Sequence, residues 1–199
     1  MIFGDWVMRI FLWVLVFLLA GLDIFLFFKN IEYAYCAFVR HQPPFVPSNK
    51  YLRRATGDVV CNNYPCAKLV CEIGSGFGGL SRYIARRCNC NVIALENMMF
   101  SSFVSWCGDL FCRQSRTIRC DALKYMKNTD KHFDIAVAYL GPKLTPVLSE
   151  YKDKFSVLIT FDFEIPEMRP VRIIDVGHGV TQYKGVPYPH RLFVYEFDK

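Results

Sequence analysis

Val70-Cys71-Glu72-Ile73-Gly74-Ser75-Gly76-Phe77-Gly78-Gly79 ends one β-forming run and leads straight into a helical one. Glycines here let the backbone turn tightly and come close to a ligand, which then lies against the N-terminus of the following helix. A lone Gly-x-Gly is weak evidence, but its place between strand and helix gives it weight.

Outward from this stretch, short β-branched runs alternate with helical ones, which predicts a mostly parallel sheet covered by helices. Strands are expected over 68–73, 91–96, 117–120, 134–139 and 156–162. Helices are expected over 79–87, where Leu80, Tyr83 and Ile84 share a face, over the aromatic stretch 99–112, broken or bent at Gly108, and over 143–154. Residues 171–176 and 191–197 read as an antiparallel pair at the sheet edge, joined by the helix-free stretch GHGVTQYKGVPYP.

Carboxylates follow three successive strands: Glu72, Glu96 and Asp121. The glycines also spell the dinucleotide pattern G-x-G-x-x-G, and Glu96 would suit the ribose hydroxyls of either kind of cofactor. Glu72 separates the templates, because dinucleotide folds usually place an apolar residue there. Taken singly, each carboxylate is a polar loop residue capping the next helix.

The set Glu72-x-Gly74-x-Gly76-x-Gly78, with Glu96 and Asp121, resembles class I S-adenosylmethionine-dependent methyltransferases. The resemblance implies an α/β, Rossmann-like class I methyltransferase sheet, mostly parallel with an antiparallel last strand. It also implies S-adenosyl-L-methionine as cofactor, held by Glu72, Gly74, Ser75, Gly76, Gly78, Glu96 and Asp121. Glu72 would orient the amino-acid part, Glu96 the ribose and Asp121 the adenine amine. Two positions depart from the family pattern: Phe77, where an acidic residue is common, and Asn97-Met98, where Asn-Pro is usual.

The N-terminus has a different character. Residues 10–28 read IFLWVLVFLLAGLDIFLFF, long enough for a helix to cross a bilayer and without a convincing cleavage site. Net charge is −1 over 1–28, +4 over 29–54 and +3 over the remainder, within a total of +6. Basic residues after the span place the C-terminal domain in the cytoplasm, or on the matrix side in a mitochondrion. Asp23 would lie near the headgroups. The nine Cys fit no paired zinc framework and read as buried or harmless thiols, with no metal. At 199 residues and 53% hydrophobic, the chain is neither a large multidomain enzyme nor disordered. The division is a transmembrane anchor at 1–28, a basic juxtamembrane segment at 29–56 and a catalytic domain at 57–199.

With its flanks, Pro44-Phe45-Val46-Pro47 before the fold and Tyr139-Leu140-Gly141-Pro142 after the fourth strand, the chain resembles the small membrane-anchored methyltransferases related to the mitochondrial lysine methyltransferase of the ATP synthase c-subunit. That resemblance implies a protein lysine as acceptor. Tyr139 and Pro142 would line the acceptor pocket, with Phe45 and Phe77 as further walls. Expected partners are the bilayer and a membrane protein, and no nucleic acid. The competing readings are a catalytically silent membrane-tethered module that binds cofactor or a partner, and a nicotinamide-dependent reductase.

Overall fold

The computed structural model describes residues 2–38, 48–183 and 186–197. The motif over 44–47, Phe45 included, and the linker 40–44 lie outside these residues. The chain forms two units, Met1–Pro44 and Phe45–Lys199. Among its described residues the first forms helix α1 (Ile2–Phe38), of which Trp6–Glu32 is long and apolar enough to cross a membrane, with mean hydropathy 2.7 and none of it buried. At 1.5 Å per residue, that stretch is about 40 Å long.

The second unit opens on α2 (Lys50–Asn63), capped by Asn49, whose Oδ1 accepts from the Tyr51 and Leu52 N–H groups at 2.9 Å. The expected domain start at 57 therefore cuts through a helix. Leu52, Thr56, Val59 and Val60 are buried on one face of α2, so 50–56 belongs to the fold rather than to a linker. The low overall hydrophobicity of this segment conceals that stripe.

There follow β1 (Leu69–Ile73), α3 (Gly79–Cys88), β2 (Asn91–Glu96), α4 (Met99–Asp109), β3 (Ser115–Arg119), α5 (Ala122–Asn128), β4 (Phe133–Ala138), a 3₁₀ segment (Pro146–Lys154), β5 (Phe155–Phe161), β6 (Arg172–Tyr183) and β7 (Val186–Glu196). They build one sheet in the order β3-β2-β1-β4-β5-β7-β6. The first five strands are parallel, with Val70 facing both Val92 and Ile135, and β7 runs antiparallel between β5 and β6. β1 is buried from Val70 onward because helices cover both faces. Leu52, Leu80 and Ile84 pack on one face, and Met126, Leu148 and Phe155 on the other.

Three expectations change. The segment over 143–154 is 3₁₀ rather than α: Pro146 stands at its start and Tyr151 leaves helical geometry at φ −113°. α4 passes through Gly108 and ends at Asp109, and a Cβ at Gly108 would lie 2.5 Å from the Arg82 guanidinium. The glycine therefore makes room for Arg82. The supposed loop between the last strands is mostly strand, with Val180 opposite Pro189 and Tyr183 opposite Val186. Pro187 and Pro189 are tolerated because β5 pairs with β7 only from Leu192 onward.

Cys61 and Cys88 form a disulfide joining α2 to α3, which corrects the reading of these two as thiols. Cys66, Cys71, Cys90, Cys107, Cys112 and Cys120 are free. Closing the 27-residue separation is worth about 3.5 kcal/mol through the unfolded state. Urea unfolding with and without reductant should differ by roughly that amount, and coincident curves would remove the cross-link.

Candidate functional site

Order reverses between β1 and β4, and the crevice beyond their carboxyl ends is where sheets of this kind hold ligands. β1 delivers the glycine loop there. Gly74 and Ser75 both donate their N–H groups to the Leu95 carbonyl at the end of β2, at 2.9 and 3.0 Å. Gly74, Gly76 and Gly78 take φ of 75°, 55° and 68°, a region that side chains disfavour. No side chain caps α3 at Gly78. Within the loop, the Ser75 hydroxyl is buried with no hydrogen-bond partner among the described residues. Such a group ordinarily costs 1–3 kcal/mol, so it marks a place where a ligand atom belongs.

Glu72 lies behind the loop, buried, and accepts a short hydrogen bond from the Ser81 hydroxyl on α3. Burial pushes its carboxyl up to about 8, against the opposing pull of the Ser81 hydrogen bond. Its stability contribution is therefore fully present below the unfolded value near 4.5 and is lost as pH rises through about 8. Thermal unfolding of the protein without ligand should show this loss between those limits. Glu72→Gln should flatten it, and an unchanged profile in the variant would assign the slope to another group.

Glu96 holds the loop against the start of α4. Its Oε2 accepts the Gly76 N–H at 2.6 Å and its Oε1 the Met98 N–H at 2.7 Å. Asp121 is the N-cap of α5, its Oδ1 accepting from Leu123 and Lys124 N–H at 3.0 and 3.2 Å. Phe77 packs edge to face on Phe100, 6.4 Å between centroids, and its carbonyl accepts from Arg82 at 2.7 Å, which makes it part of the α3–α4 seam.

Across the switch point, Tyr139 follows β4. Its ring lies 5.2 Å from Phe161, and its hydroxyl donates to Asp162 Oδ2 at 3.2 Å. Asp162, at φ 60° and with its side chain 1% exposed, also accepts the Arg191 N–H at 3.1 Å and stands 3.0 Å from His190 Nδ1. Pro142 lies partly exposed in the turn after Tyr139. Asp162 and His190 belong to no motif in the sequence. The available signal was an acid ending β5 and a histidine near the start of β7, which β7's antiparallel course returns to the same sheet edge.

No protein-family model matches the sequence, and no curated protein matches it. The fold is that of the class I S-adenosylmethionine-dependent methyltransferases, as solved structures show. An RNA methyltransferase from Salinibacter ruber, in complex with S-adenosyl-L-homocysteine, superposes with TM-score 0.60 at 14% identity, covering 76% of this chain and 93% of that one. TrmK from M. capricolum, also with S-adenosyl-homocysteine, gives TM-score 0.55 at 12% identity over 71% and 67%. A SAM-dependent methyltransferase from Thiobacillus denitrificans in complex with S-adenosyl-L-homocysteine gives 0.50 at 15% over 66% and 54%, so this chain spans about half of its length.

Proposed function

We propose that the protein is a membrane-anchored S-adenosylmethionine-dependent methyltransferase that methylates a lysine of a membrane-associated protein. The observation that carries the cofactor reading is the unpartnered Ser75 hydroxyl, buried in a positive-φ glycine loop between Glu72 and Glu96. These groups fit the cofactor's ends: Glu72 and Ser75 the amino-acid part, Glu96 the ribose hydroxyls and Asp121 the adenine amine. The cofactor supplies an electrophilic methyl on a sulfonium. The protein supplies alignment for in-line attack and a setting that favours the neutral amine. Tyr139 and Pro142 would flank that amine, and the Tyr139 ring face suits the cationic product. Asp162 and His190 hold the Tyr139 hydroxyl in place. A single transmembrane span would keep the domain where a membrane substrate is concentrated.

Calorimetry on the full chain in detergent, with S-adenosylmethionine and with NAD in separate titrations, tests the cofactor. Affinity for NAD alone would favour a reductase and sink the reading. Incubation with methyl-labelled cofactor and membranes tests the acceptor: label in methyl-lysine is expected, label in RNA or small molecules removes the lysine, and cofactor binding without transfer leaves a silent tether. Two features oppose each other on the side occupied. Basic residues after the span favour the cytoplasmic or matrix face, whereas the Cys61–Cys88 disulfide suits an oxidising compartment. Labelling by an impermeant thiol reagent in intact cells decides: protection of exposed Cys66 places the domain inside, and its modification places it outside.

A further inference from the structure

α4 is built inside out. Its buried residues are Ser101, Ser102 and Ser105, with Ser105 Oγ 2.7 Å from Thr117 Oγ1 on β3. Met99, Phe103, Trp106 and Leu110, at successive spacings of four, three and four, project from the opposite side and are 60, 59, 53 and 64% exposed. At 100° per residue they fall in a stripe only about 60° wide. Phe103 and Trp106 stack at 6.4 Å, and Phe111, 82% exposed, extends the stripe past the helix end. Side chains of this size expose on the order of 500 Å² of contiguous apolar surface, at the upper end of what monomers show.

We infer that α4 is a second membrane contact: its stripe docks into the headgroup–acyl boundary of an anionic phospholipid bilayer. The inference rests on the membrane-anchored reading above, in which the span over Trp6–Glu32 keeps this domain beside a bilayer. Trp, Phe, Leu and Met in one stripe, with basic residues at its border, is the composition of an interfacial helix. Arg86 and Arg113 supply the border, both exposed, with Arg86 Nη2 3.1 Å from the Phe111 carbonyl. The one acid within α4, Asp109, turns inward, accepting from Ser115 and Thr117 and lying 3.8 Å from Arg82. The outward side thus presents apolar groups and cations to an anionic surface. α4 begins three residues after Glu96, so the docked helix would follow directly in the chain from the proposed site.

The chain has three Trp, so full-length protein carrying Trp6→Phe and Trp13→Phe reports from Trp106 alone. Reconstituted into phosphatidylcholine–phosphatidylglycerol vesicles, Trp106 should lose about half its emission or more to lipids brominated near the headgroup. Arg86→Glu with Arg113→Glu should relieve that quenching, as should vesicles of phosphatidylcholine alone. Carbonate extraction of the same vesicles reports on α1 independently. Unquenched Trp106 in protein that resists extraction overturns the docking and leaves the anchor standing. Quenched Trp106 in protein that is extracted supports the docking and sinks the anchor. A blue-shifted Trp106 indifferent to bromolipid means that a protein surface, such as a second copy, covers the stripe, and overturns the inference.

Discussion

Gly78→Ala should destabilise the protein by roughly 2–5 kcal/mol. Two causes combine. The residue sits at φ 68°, where a Cβ crowds its own backbone, at a cost of about 1–2 kcal/mol. The added carbon would also lie 2.1 Å from Ser105 Oγ and 2.7 Å from Arg82 Nη1, so the α3–α4 seam must open. Gly74→Ala meets a milder contact, Leu140 Cδ2 at 3.0 Å, the far end of a flexible side chain, and should be less damaging. A double-mutant cycle separates the terms: Ser105→Ala in the Gly78→Ala background removes the hydroxyl collision and should recover part of the loss while leaving the backbone strain. Chemical unfolding of the four proteins measures the coupling, and strict additivity would show that Ser105 is not what the new methyl meets.

Contacts of this kind explain what the sequence could reveal. The glycine loop was legible because its constraint is local: a strand must end, turn at positive φ and enter a helix within a few residues, and Gly74, Gly76 and Gly78 satisfy that. β2 was legible from end to end because 91–96 is an apolar run with a carboxylate at its close. α2 was missed because its buried face alternates with Lys50, Arg53 and Arg54, so charge outweighed period. In α4 the helix was visible, but which side it buried was not. Apolar periodicity points a helix inward by default, and here the serines take that side because Thr117 and Asp109 build a polar seam with β3. The disulfide depends on α2 lying against α3, which no spacing of cysteines reveals. Asp162 and His190 stand 28 residues apart and meet only because β7 inserts beside β5.

That long-range pair leads to the second large effect. If the protein transfers methyl groups as proposed, Asp162→Asn should lower that rate on the order of 10²-fold while leaving cofactor affinity unchanged. Asn tolerates the left-handed backbone at this position and keeps a carbonyl oxygen for the Arg191 N–H at Oδ1, while its amide NH2 takes the place of the Oδ2 that accepts from the Tyr139 hydroxyl and can donate to that hydroxyl instead, so the fold should survive. What it loses is the negative charge 3.0 Å from His190 Nδ1, and with it the fixed orientation that Tyr139 receives through the shared carboxylate. Asp162→Ala would confuse the issue, because removing a buried carboxylate strands the groups bonded to it at a cost of several kcal/mol. Tyr139→Phe deletes the hydroxyl from the other side. If Asp162 acts by positioning Tyr139, the Tyr139→Phe and Asp162→Asn double variant should be little slower than either single one. A fall in kcat at unchanged cofactor affinity is the split that a merely structural role, which would loosen the whole fold, would not produce. Full activity in Asp162→Asn, at unchanged cofactor affinity, would remove the Tyr139–Asp162–His190 cluster from the transfer step.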